Sequence, residues 1–363
     1  MGETHRDWKF KGRGAVGNPT GRFEPAAVVP FDDGWGSLDQ DEPEALETFL
    51  HPETSRTIIS HNNSPDIPFN QSINPYQGCE HGCIYCYARP SHAYYNLSPG
   101  LDFETHIFYK PEAAALLDQE LRKPNYKVDP ISIGANTDPY QPVERQLGIT
   151  RQIIQKLGEF RHPFTLITKN HGVVRDIDLL APLAAQGLCQ AFVSITTLRA
   201  DLARKMEPRA SSPRRRLQAL ATLSQAGIPT GIMTAPMILG LNDPELEDLL
   251  EAGAQAGVQT AGYILVRLPH ELKELFLPWL REHYPDALPR VVARIRDTRE
   301  GQLNNSEFGQ RMKGTGEFAD LLRARFNLAC RRLGLNQQRT ELNCSLFSPP
   351  PRPGDQLSLF AKK

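Results

Sequence analysis

Three of the six cysteines in this 363-residue chain fall within eight residues, at Cys79, Cys83 and Cys86. The spacing is C-x-x-x-C-x-x-C, and it constrains the fold more than any other feature. A loop this short can turn three thiolates onto one centre, and Gly78 and Gly82 give its backbone the freedom to wrap. Three thiolates leave a structural zinc site one ligand short. They also leave one iron of a four-iron cluster without a protein ligand. His81, or the distant Cys189, Cys330 or Cys344, could complete a zinc site, so both metals stay open at this point. An odd cluster cannot pair internally as disulfides.

Around this loop the chain alternates between short apolar runs and helical periods. Phe69–Tyr76 reads as a strand that delivers the cysteines, and 86–97 as a helix or irregular turn rich in tyrosine. Strands are expected at 130–135, 164–168, 191–195, 228–234 and 262–266. Helices are expected at 146–160, 173–186, 214–226 and 244–256, several of them stopped by glycine. This alternation predicts a parallel sheet covered by helices. A barrel-like and a doubly wound arrangement give the same pattern.

In such sheets ligands gather at the carboxyl ends of the strands. Polar residues lie there: Asn136, Thr137 and Asp138 after the second strand, Lys169 and Asn170 after the third, Ser194 and Thr196 at the fourth. A lysine matches a carboxylate, and an acid matches an ammonium or ribose hydroxyls. Thr137 and Thr196 read equally well as helix caps. Cys189 sits at the opposite end of its strand and reads as core.

Residues 1–66 show no sustained period and read as an irregular leader, its basic start Lys9–Gly14 a solvated tail. Residues 67–270 form the core. Residues 271–340 read as a basic helical extension; within 286–340 eleven Lys or Arg face six Asp or Glu. That surface fits either a phosphate backbone or plain solvation. The segment Asn304–Thr315 reads as a polar, glycine-bearing cover for a site. Residues 341–363 read as a proline-rich flexible tail. Net charge is −1, and no run has the apolar length of a membrane span. The start carries no apolar signal segment, so the cytoplasm is the expected location.

The cysteine spacing, with Tyr85 before the last cysteine, resembles the signature of radical S-adenosylmethionine (radical SAM) enzymes. The wider text from Asn74 to Arg89 resembles the branch related to spore photoproduct lyase, a DNA-repair lyase. The resemblance runs from about Gln71 to Pro269 and favours iron over zinc. It implies an α/β fold, a partial (β/α)₆ TIM-type barrel with a helical C-terminal extension. It implies a [4Fe–4S] cluster on Cys79, Cys83 and Cys86, with S-adenosyl-L-methionine on the open iron. One electron, from a donor such as flavodoxin or ferredoxin, would yield a 5′-deoxyadenosyl radical. Cofactor contacts are implied at Tyr85, Tyr87, Lys169 and Ser194, and an adenine contact at Met237. Asn136 and Asp138 join this set as strand-end groups. Where the lyase carries a hydrogen-donating cysteine this chain has Ala135, so the lyase's own reaction is not expected.

The tail text Gln356-Leu357-Ser358-Leu359-Phe360 resembles the short motif by which bacterial replication and repair proteins bind the DNA polymerase sliding clamp. Together these readings predict a radical SAM enzyme acting on DNA. The alternatives are a radical SAM enzyme for RNA, protein or a small metabolite, and a non-catalytic iron–sulfur protein bound to the clamp and DNA.

Overall fold

The structure, a computed structural model, describes residues 12–15, 17–23, 46–338 and 340–352. Its centre is a sheet of six parallel strands in chain order: β1 (Gln71–Ile73), β2 (Ile131–Ile133), β3 (Phe164–Thr168), β4 (Cys189–Ser194), β5 (Thr230–Met237) and β6 (Thr260–Leu265). A seventh strand, Ile59–His61, pairs antiparallel with β1 and covers that edge. Neighbours in the sheet are neighbours in sequence. A doubly wound sheet reverses strand order at a switch point; this one never does. With right-handed crossovers the helices therefore fall on one side, as in part of a barrel.

The helices follow from their apolar spacing. In Ile149–Glu159 the residues Ile149, Ile153, Ile154 and Leu157 are buried on one face. The expected start at 146 fails because Gly148, at φ +64°, breaks the helix from the short turn Glu144–Leu147. Val173 likewise falls in a 3₁₀ turn, His171–Asp176, ahead of the α-helix Ile177–Ala184.

The expected strand 69–76 is split. Gln71–Ile73 joins the main sheet, whereas Tyr76–Gln77 crosses to a small sheet with His106–Tyr109 and Phe49–Pro52. Pro75 removes a ladder donor between the two pieces.

The described residues of the leader are tied into the fold. Phe49–Pro52 and Ile59–His61 are strands, too short to show a period. Arg13 donates to the carbonyls of Glu104 (2.7 Å) and Leu46 (2.6 Å). Gly14 and Ala15 N–H groups bond the two Glu104 carboxylate oxygens at 2.9 and 2.8 Å. A side chain at Gly14 would place Cβ 1.7 Å from the Gly82 carbonyl oxygen, so this leader segment lies directly on the cysteine loop. Lys9 and Lys11 lie outside the described residues.

The basic extension contains helices Leu272–His283, Leu288–Asp297 and Glu317–Arg332. Its arginines are largely engaged. Arg325 holds Glu247 (2.6 Å), Arg311 holds Asp66 (2.5 Å), Arg294 faces Asp297 (3.5 Å) and Arg323 faces Asp320 (3.1 Å). The tail as far as 352 is also held in place. Phe347 packs against Tyr126, Phe160 and His162, and Ser348 N–H bonds the Phe160 carbonyl at 3.0 Å. Gln356–Phe360 lies outside the described residues. Among those described, no helix is long and apolar enough to cross a membrane.

Candidate active site at the strand ends

The cysteine loop lies over the carboxyl ends of the strands, and a cavity opens between them. Cys79, Cys83 and Cys86 line it, together with Asn136 and Asp138 after β2, Lys169 after β3, Ser194 at the end of β4, and Arg267 after β6. Tyr85 and Tyr87 line it as well.

Buried charges hold the loop. Arg89 is fully buried and bonds the carbonyls of Cys83 (2.8 Å) and Gly100 (2.8 Å) and the Glu104 carboxylate (2.5 Å). Gly78 and Gly82 adopt φ of +80° and +66°, where a side chain would be strained. A Cβ on Gly82 would also meet Glu104 Oε2 at 2.7 Å. On the other side, Glu80 accepts from Val143 N–H (2.6 Å) and Thr48 Oγ1 (2.9 Å) and faces Arg209 (3.1 Å).

Asp138 plays a different part from the one its position implies. Its Oδ1 accepts from Thr168 Oγ1 (2.7 Å) and Tyr140 N–H (2.9 Å), and its Oδ2 from Lys169 N–H (2.7 Å). Oδ2 also lies 3.3 Å from His81 Nδ1. Burial pushes its carboxyl pKa up, but His81 and these hydrogen bonds win and hold it at about 2. Both oxygens serve the protein, so Asp138 is a latch rather than a free cofactor ligand. His81 is committed too, its Nε2 lying 3.3 Å from Asn170 Nδ2. Thr137 caps no helix; its hydroxyl bonds the Tyr76 carbonyl at 2.6 Å.

A second latch lies under the loop. Glu207 is buried, accepts from the Tyr85 hydroxyl and Arg216, and takes Thr196 Oγ1 at 2.9 Å. Arg216 continues to the Ser194 carbonyl at 3.0 Å. Burial raises the Glu207 carboxyl pKa, but Arg216 and Lys169 outweigh it and keep it low. Tyr85 therefore turns its hydroxyl away to Glu207 and its ring toward the cavity. Lys169 Nζ stands 5.9 Å from that ring centre. It has no ion-pair or hydrogen-bond partner among the described residues.

Met237 is placed elsewhere. It is fully buried in the main core, and the β5 residues facing the cavity are Met233, Ala235 and Pro236. Ala235 and Pro236 are joined by a cis peptide bond. Cys189 is buried in the core, as its strand position implies, with Sγ on the Leu180 carbonyl. Ala135 does reach the cavity wall, and its carbonyl accepts the Tyr87 hydroxyl. Sequence reasoning missed Glu207, Arg216 and Arg267. Arg267 lies two residues beyond the end of β6, so the strand-end rule that found Lys169 would have found it.

The donor set fits an iron–sulfur cluster. All three cysteines are free thiols, two buried and one half-buried. Burial, then Asp138 and the other two cysteines, pushes the Cys79 thiol well up. Burial and Glu207 push Cys83 to about 12. Metal charge would displace these protons and relieve the repulsion. Among the described residues no group of three His, Cys, Asp or Glu is placed to hold a single ion.

Residues 73–253 match the family model described as the radical SAM superfamily. An uncharacterised protein of Mycobacterium tuberculosis is 33% identical over 230 residues, 63% of this chain and 68% of that protein. The chain belongs to the radical SAM superfamily. Members use a [4Fe–4S] cluster and S-adenosylmethionine, and in this chain Cys79, Cys83 and Cys86 are the residues fitted to hold the cluster. An uncharacterised protein of Methanocaldococcus jannaschii is 26% identical over 215 residues, 59% of this chain and 76% of that one. Among solved structures, a spore photoproduct lyase variant with bound AdoMet and dinucleoside spore photoproduct superposes with a TM-score of 0.55 at 17% identity. It covers 79% of this chain and 80% of its own. At that identity the likeness is one of fold.

Proposed function

We propose that this radical SAM enzyme acts on nucleic acid, DNA in particular, and that its C-terminal motif brings it to the sliding clamp. The observation that carries the substrate class is a set of exposed aromatic rings, each with an arginine close to it. Arg22 lies 5.2 Å from the Phe23 ring centre and 5.7 Å from that of Tyr94, and both rings are exposed. Tyr94 sits on the turn that follows the cysteines. Arg311 lies 4.6 Å from the exposed Phe308 ring, on the segment between the helices Leu288–Asp297 and Glu317–Arg332. Exposed rings on which bases can stack are part of the chemistry of single-strand binding.

The cluster and S-adenosylmethionine supply the radical chemistry when bound. The chain supplies the rest. Lys169 offers an unpaired cation for the cofactor carboxylate, and Ser194 and Asn136 offer hydrogen-bonding groups beside it. Tyr85 fixes the loop against Glu207, and the apolar wall of Ile167, Met233 and Ile264 excludes water. Ala135 carries no transferable hydrogen, so the thymine-dimer reversal of a lyase that uses a cysteine there is not the reaction assigned here.

The test is release of 5′-deoxyadenosine by anaerobic, reduced, cluster-loaded protein. It is run with intact and irradiated DNA, single- and double-stranded, and with RNA. DNA is expected to raise the rate. If RNA raises it and no DNA does, the substrate is RNA; if no nucleic acid raises it, the nucleic-acid reading fails.

A further inference from the structure

We propose that Arg267, set against the Tyr87 ring after β6, forms a subsite for a phosphodiester anion of the substrate. This deepens the nucleic-acid reading and rests on it for the identity of the anion. Three observations support it.

The first is unbalanced charge. Arg267 lines the cavity, its guanidinium carbon 5.8 Å from the centre of the Tyr87 ring. Its Nε is buried with no hydrogen-bond partner, and Nη1 meets only the weak acceptor Met312 Sδ at 3.6 Å. Asp66, the acid whose charge reaches it, is already bonded to Arg311 Nε (2.5 Å) and Gly309 N–H (2.6 Å).

The second is a buried arginine behind it. Arg299 is almost fully buried and bonds only carbonyls, those of Val266 (3.0 Å), Gln310 (3.1 Å) and Leu265 (3.5 Å). Its Nε also lacks a partner. Neither Arg267 nor Arg299 has an ion-pair partner among the described residues. A buried and a half-buried cation without an acid are costly, and an arriving anion relieves that cost. Arg299 also ties down the backbone on either side of Val266, which fixes where Arg267 begins.

The third is position. Arg267 stands three strands from Lys169, roughly 14 Å across the sheet. Their backbones thus enter the cavity from different strands, Lys169 after β3 and Arg267 after β6. A guanidinium beside an exposed tyrosine ring suits a phosphate with a base on the ring. Met312 closes the edge: Leu265 N–H bonds the Met312 carbonyl at 2.9 Å.

The experiment uses full-length, cluster-loaded protein with S-adenosylmethionine present. Fluorescein-labelled dodecathymidylate is titrated by anisotropy with a native backbone and with neutral methylphosphonate linkages. Inorganic phosphate is tested separately by thermal shift. Arg267→Gln should weaken the native oligonucleotide by about tenfold or more and leave the neutral one unaffected. Arg267→Lys should recover part of the loss. Iron content and circular dichroism check that the variants fold. Equal weakening of both backbones, or of neither, overturns the subsite while the nucleic-acid reading survives. Phosphate that stabilises wild type but not Arg267→Gln, with no oligonucleotide binding, upholds the anion subsite and removes the nucleic-acid reading. No binding of either probe to wild type overturns the proposal. So does an equal loss of S-adenosylmethionine affinity in Arg267→Gln, because the anion would then be the cofactor's own.

Discussion

His81 Nδ1 stands 3.3 Å from Asp138 Oδ2, which joins the middle of the cysteine loop to the end of β2. Thr168 and Lys169 bring β3 to the same carboxylate. Asp138→Ala frees all three at once. It should lower stability by about 3 kcal/mol, the cost of opening a buried charged network. Urea denaturation measures the loss, and iron analysis after reconstitution should show poorer loading. Wild-type stability in this variant would mean that the latch carries no weight.

Glu207 and Arg216 are a buried pair beneath the loop. Glu207→Ala leaves the guanidinium without its acid and should cost about 3–5 kcal/mol. The double change Glu207→Leu with Arg216→Leu should lose less than Glu207→Ala alone. If the double change is the worse of the two, the pair is not the source of the cost.

Cys79, Cys83 and Cys86 changed together to Ala should remove all iron, whereas Lys169→Ala and Ser194→Ala should keep about four irons per chain. Those two should weaken S-adenosylmethionine binding, Lys169→Ala by roughly 1.5–3 kcal/mol. Met237→Ala should do the reverse. It opens a hole in the core worth about 2–5 kcal/mol of stability and leaves cofactor affinity alone. Equilibrium binding beside a denaturation curve separates the two outcomes.

His92 is fully buried among Phe103, Phe108 and Tyr95, with Nε2 2.9 Å from the His106 carbonyl. Burial lowers its pKa from 6.5 to about 4. The unfolded chain takes up this proton near 6.5 and the folded chain refuses it until about 4. Stability from this source is full above 6.5, falls as pH drops through that window, and is down by roughly 2 kcal/mol at pH 5. His92→Gln should flatten that part of the curve. An unchanged difference between variant and wild type from pH 7 to 5 would remove His92 as the cause.

Leu359→Ala with Phe360→Ala should abolish binding to a purified bacterial sliding clamp, because apolar anchors carry most of such an interface. Cofactor cleavage in solution should not change. An isolated 353–363 peptide with no affinity for the clamp would end the recruitment hypothesis.

The centre of the fold was legible because it rests on local pattern. The run Phe164-Thr165-Leu166-Ile167-Thr168 is a strand in sequence and in space. The helices ending at Gly187, Gly227 and Gly257 stop where those glycines, all at positive φ, allow the turn. Short pieces such as Ile59–His61 were not legible. Three residues show no period, and their pairing with β1 supplies what their composition lacks.

The sequence by itself determined that three thiols would share a loop, that strands and helices would alternate, and that polar groups would collect at strand ends. Each of these follows from spacing along the chain. Only the tertiary structure decided which of those polar groups remain available. Asp138 and Lys169 look equally poised in sequence, yet Asp138 is consumed by partners from three segments while the Lys169 ammonium faces the cavity. Met237 lies one residue beyond Pro236, but it points into the core. Tyr85 finds Glu207 from 122 residues away. A buried polar group must be paired, and its partner comes from whatever segment the fold brings near, which no local spacing records.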